Sequence, residues 1–224
     1  MRSLVVTATL VACHGQQATV DEQVAKAKPI VEPRLARFDN FIKEPLPEPT
    51  GTIKLDGPPI QVVSFGPDAK GNAAVAFRED FKDLTGYASN PVRWYGADIL
   101  DDCYMLVRNK QLATHWNGNK NTSPFPSDAQ NHLPRCTLIR YVLLVDFKAF
   151  ELPKEIDKQH FAGGGVTANV LVVDLDTGKY AGGVSFTAGS SDWSGKDLEY
   201  DFRNNVFKAF EAAIQKALPD ARLL

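Results

Sequence analysis

Apolar residues change their spacing several times along the chain, and each change marks a boundary. The first run, "SLVVTATLVAC" at residues 3–13, is apolar or small and carries no charge. Residues 14–33, "HGQQATVDEQVAKAKPIVEP", are polar and Ala-rich, with the character of a tether or a marginal helix. Leu35, Phe38, Phe41 and Ile42 then recur at helical spacing and predict a short amphipathic helix. "PLPEPTG" at 45–51 ends it, because closely spaced prolines remove amide donors and stiffen the backbone. A globular domain is expected over 52–224, behind a tether at 13–51.

Within that domain the period turns toward strands. "TIKLDG" (52–57) and "IQVVSF" (60–65) are short strand candidates separated by Pro58 and Pro59. "AAVAFREDFKDL" (73–84) fits either a strand or a helix. "ADILDDCYMLVRN" (97–109) reads as a helix with Ile99, Cys103 and Leu106 on its apolar face. Residues 109–135 form a polar stretch too long for a simple connection, so a functional loop is expected there. "CTLIRYVLLVDFKAFEL" (136–152) predicts a long central strand. "TANVLVVDLDTGKYAGGVSFTA" (167–188) predicts a hairpin, with Gly178 suited to a left-handed turn position. In the final helix, Leu198, Phe202, Val206, Phe210, Ile214 and Leu218 recur every fourth residue, behind a weak capping pair, Ser194 and Asp197. The expected class is α+β, an antiparallel or mixed sheet packed by helices.

Composition narrows the function classes. Hydrophobic residues make up 44% of the 224 and charged residues 23%, which suits a packed core. Thirteen Phe against two Met point to a core of aromatic and β-branched side chains. A net charge of -2 without a Lys/Arg block argues against nucleic acid as a partner. No apolar run reaches the roughly 20 residues that span a bilayer.

The N-terminus carries the sharpest signal. Arg2, the apolar run behind it and the small Ala12 have the layout of an export signal over residues 1–12. "LVAC" at 10–13 resembles the lipobox of bacterial lipoproteins. That resemblance implies diacylglycerol on the Cys13 sulfur and Cys13 as the first mature residue, anchored in the bilayer by its acyl chains. It also implies the outer membrane in a Gram-negative host, since His14 rather than Asp follows the cysteine. A buried first strand or a plain secretory signal are the other readings of the same residues.

With Cys13 acylated, Cys103 and Cys136 remain, and an even remainder in an exported chain points to a disulfide. Two separate buried thiols are the alternative.

The remaining chemistry is sparse. His14, His115, His132 and His160 form no zinc-binding spacing, and no metal or cofactor is expected. No nucleophile elbow, S-x-x-K or phosphate loop occurs. Asp174 and Asp176 in "DLDTGK" fit a hairpin turn better than a calcium loop, which needs further acidic ligands. Asp98, Asp101 and Asp102 read as a solvated face. His115, Trp116 and Trp193 are the candidate binding surface.

The order of strand, hairpin with a D-x-D-T-G-K turn and packed helix is similar to accessory lipoproteins of envelope assembly, such as curli-secretion or penicillin-binding-protein-activator types. The expected function is a non-enzymatic envelope lipoprotein that binds a protein or cell-wall partner. The alternative is an envelope hydrolase with a nonstandard site in the 109–135 loop.

Overall fold

A computed structural model describes the backbone of residues 6–63, 70–82, 99–108, 126–157, 160–190 and 198–223. Side chains are described within these stretches except at 6–20, 80, 82, 126–131, 155–162 and 198–199. In chain order the elements are α1 (Val6–Lys43), β1 (Ala73–Phe77), α2 (Glu79–Lys82), α3 (Ile99–Arg108), α4 (Pro126–Leu138), β2 (Tyr141–Glu151), β3 (Lys154–Asp157), β4 (His160–Ala162), β5 (Gly165–Asp174), β6 (Lys179–Gly189) and α5 (Leu198–Ala217). The fold is α+β: helices pack on a four-stranded mixed sheet of order β1-β2-β5-β6, and β3 and β4 form a small separate pair. β1 runs parallel to β2, and the other neighbours are antiparallel.

Strand alternation sends two sets of side chains to two cores. Tyr141, Leu143, Val145, Val170, Val172, Val184 and Phe186 meet the α5 stripe of Phe202, Val206, Phe210 and Ile214. Each of those buried stripe residues contributes about 1.5–3 kcal/mol of apolar burial. Val142, Leu144, Leu171 and Val173 face the other way, toward Ala27, Val31, Leu35 and Phe38 of α1 and buried residues of α3 and α4. With both faces covered, β2 and β5 carry unbroken apolar runs instead of alternation.

The hairpin falls where the pattern places it, and Gly178 has φ +71° in its turn. Phe202, Val206, Phe210 and Ile214 are buried as expected, with Leu218 partly buried beyond them, and the Leu198 side chain lies outside the described residues. Ser194 and Asp197 lie outside the described residues.

Other expectations change. Residues 14–33 are helical, part of α1 together with the helix expected at 35–42. Ala27 and Val31 extend the stripe of Leu35 and Phe38 backwards at spacings of three and four, and all four are buried. Pro29 and Pro33 lie inside this helix on its exposed side, so the packed stripe holds it despite the lost amide bonds. The two early strand candidates make only bridges, Ile53 to Gly182, Gln61 to Arg222 and Val62 to Ala73. The ambiguous segment divides into a strand, β1, and the short helix α2. In α3 the buried face runs through Ile99, Leu100, Cys103, Tyr104 and Val107, leaving Leu106 only partly covered. Residues 126–138 of the expected loop and strand form α4, which opens on Pro126, a residue preset for a first helical turn. The strand therefore begins at Tyr141.

Residues 51–63 run as a strap from one edge of the sheet to the other. At β6, Gly51 donates to Gly183 O, Lys54 to Ala181 O, and Gly183 to Thr52 O. At β1, Val63 N donates to Ala73 O, and Val62 N to Arg222 O of the C-terminal segment.

Candidate functional site

Cys13 falls on the helical backbone of α1, and its side chain is outside the described residues. His115, Trp116 and Trp193, the expected binding surface, also lie outside them. Among the described residues no group of three or more His, Cys, Asp or Glu is placed to hold a metal. No described helix is long and apolar enough to cross a membrane.

Cys103 and Cys136 do meet. Their Cα atoms lie 5.5 Å apart and the geometry is compatible with a disulfide joining α3 to α4. Beside them, His132 Nδ1 donates to the carboxylate of Asp102. The sequence placed Asp102 on a solvated face because its partner is thirty residues away on another helix. A third tie crosses from α3 to α1, where the Tyr104 hydroxyl donates to Asp39 at 2.6 Å and Arg108 bonds Asp39 and Glu32. Burial first, and the Asp39 hydrogen bond second, push the Tyr104 hydroxyl far above its ordinary range.

The "DLDTGK" turn is a structural lock. Asp174 is buried; one of its oxygens accepts from the backbone amides of Asp176 and Thr177, the other from Arg140 at 2.8 Å. Burial raises this carboxyl, but Arg140 and the two amides outweigh it and hold the pKa below the usual value. Asp176 pairs with Arg34 of α1 at 2.7 Å, and Arg37 donates to Leu175 O. Arginines therefore neutralise the acids that a calcium ion would need. Nothing in the local sequence reveals Arg34, Arg37 or Arg140 as their partners, since all arrive from other elements.

A second buried carboxylate, Asp146 on β2, accepts from Arg78 at 3.2 Å and pairs with Lys148 at 2.9 Å. Burial opposes its ionisation, yet the two cations hold its pKa below the ordinary value.

A cleft lies elsewhere, where the strap, the turn before β1 and the C-terminal segment converge. This cleft of about 720 Å³ is lined by residues including Pro58, Pro59, Gln61, Asn72, Asp220 and Arg222. A smaller basin of about 160 Å³ adjoins it past Pro59 and includes Gly57 and Leu218. The cleft walls are fixed by hydrogen bonds: Asn72 Nδ2 donates to Pro59 O, Asn72 Oδ1 accepts from Gln61 N, and Arg222 N donates to Ile60 O. Gly71, at φ +122°, allows this approach, since a Cβ there would lie 2.7 Å from Gln61 O. The Tyr141 hydroxyl is buried with no hydrogen-bond partner, 2.5 Å from where a Cβ on Gly57 would stand. In the sequence Pro58 and Pro59 only separate two strand candidates, because a cleft made from three distant segments has no local signature.

No protein-family description matches the chain, and no curated protein matches it. Among solved structures, the hypothetical protein CT253 from Chlamydia trachomatis is similar over 65% of this chain and 95% of that one, at 14% identity and a TM-score of 0.26, a likeness that assigns neither fold nor function.

Proposed function

We propose that this protein is a lipoprotein of the bacterial cell envelope, anchored through acylated Cys13, whose α+β domain binds a protein or cell-wall partner rather than catalysing a reaction. The anchor rests on "LVAC" at 10–13. The binding role rests on the cleft, whose described lining offers prolines, carboxamides and backbone, with Asp220 as its one acid and no histidine, cysteine or serine. Such a lining recognises a partner but lacks a nucleophile and base in reach of each other. His14 after the cysteine favours the outer membrane in a Gram-negative host.

The anchor is tested by expressing wild type and Cys13→Ser with a clickable fatty acid. Wild type is expected in the membrane pellet with label, and the variant without label. An unlabelled wild type ends the lipoprotein reading.

The His132–Asp102 pair favours a second reading, an envelope hydrolase, because a carboxylate on Nδ1 orients an imidazole for base catalysis. Hydrolysis of a panel of ester and amide substrates that disappears in His132→Ala would establish it.

A further inference from the structure

We propose that the cleft lined by the strap, the turn before β1 and the 219–222 segment takes an extended peptide of a partner protein. This rests on the binding reading above and names its ligand class.

Shape comes first. The two basins share Pro59, Ile60, Pro219, Asp220 and Ala221 as walls, so they are neighbours along the strap. A ligand that reaches both must be elongated. The walls are already set: prolines fix their own backbone, Asn72 clamps Pro59 and Gln61, and Arg222 is hydrogen-bonded to Ile60 and Val62. Little ordering is then needed on binding.

Chemistry decides among elongated ligands. The described lining contains no aromatic ring on which a sugar or a base would stack. Its single cation, Arg222, lies two residues from Asp220, so a phosphate or polyanion would meet a carboxylate beside its only partner. A peptide fits both facts. Its backbone repeats donors and acceptors, which the Gln61 carboxamide can answer in both senses. An acidic residue along it pairs with Arg222 and a basic one with Asp220, both exposed.

The test uses the full chain as the soluble Cys13→Ser variant. Random linear peptides displayed on phage are selected against it, and the enriched peptides are titrated onto isotope-labelled protein. The expected shifts cluster at residues 57–61, 71–72 and 219–222. Arg222→Glu should weaken peptides carrying an acidic residue by about tenfold or more, and Asp220→Lys those carrying a basic one. Both side chains are exposed, so unchanged melting of the variants separates lost binding from lost folding; Gln61→Ala gives a third, uncharged check. Three results overturn the assignment: no enrichment, shifts elsewhere in the domain, or affinities unchanged in all three variants. Movement of the cleft resonances by peptide-free glycan strands and not by peptides would also overturn it. Fatty-acid labelling at Cys13 is read separately, so failure of the anchor leaves the result at the cleft standing.

Discussion

The Cα atoms of Cys103 and Cys136 lie 5.5 Å apart across the contact between α3 and α4. They are 33 residues apart in the chain, and a bond between them closes a loop whose loss of unfolded-state freedom corresponds to about 3–4 kcal/mol. Protein isolated under oxidising conditions should show no titratable thiol at these positions after denaturation. Cys103→Ala and Cys136→Ala should destabilise by similar amounts, and the double variant by little more than either, because both break one bond. Two reactive thiols in the oxidised, unfolded protein would return both residues to the core as separate apolar side chains.

Phe210 is 1% exposed and its ring lies 6.2 Å from that of Phe186 on β6. Phe210→Ala should cost about 3–5 kcal/mol in denaturant unfolding. An unchanged midpoint would mean that the α5 stripe does not carry this core.

Asp174 and Asp146 both have pKa values held below the ordinary carboxylate range, so both stabilise the fold above that range. Their contribution is fully present at neutral pH and disappears as pH falls through the lowered values. Acid unfolding should therefore steepen below the ordinary carboxylate pKa, and Asp174→Asn should flatten that limb. Arg140→Met leaves Asp174 buried without its cation and should cost about 2 kcal/mol at neutral pH. A variant with the same acid profile as wild type would remove the turn lock from the account.

Two glycines with left-handed backbone should respond unequally. A Cβ on Gly178 meets only the Arg37 side chain at 3.4 Å, so Gly178→Ala should cost about 1 kcal/mol, the left-handed strain alone. On Gly182 it would lie 2.2 Å from Thr52 O, backbone that has no rotamer with which to move aside. Gly182→Ala should cost roughly 3 kcal/mol from strain and overpacking together. Equal melting temperatures would show that the strap does not pack against β6 as described.

What the sequence disclosed follows from range. The β5–β6 hairpin and α5 announce themselves because their signals are local: a turn residue between two apolar runs, and a four-residue period. The packed length of α1 is not legible because Ala27 is small and prolines at 29 and 33 disfavour a helix interior, although neither faces the packed side. α4 lacks such a signal because its apolar positions are few among polar neighbours, with Leu133 and Cys136 buried three residues apart. The Cys103–Cys136 pair could be inferred by counting, whereas the Arg140–Asp174 lock, the His132–Asp102 pair and the cleft join residues that only the fold brings together. Periodicity carries no information about such meetings.

The strap at 51–63 has a kinetic consequence. It bonds to β6 at one edge of the sheet and to β1 and residue 222 at the other, so its partners exist only once the four central strands have assembled. Closing contacts between residues 61 and 222 also requires most of the chain to be in place. The strap should therefore dock after the rate-limiting step, and Ile53→Ala should speed unfolding while leaving the refolding rate nearly unchanged. The cleft, walled by the strap and the last residues, then comes into being only as folding finishes, so a partly folded chain has no such cleft.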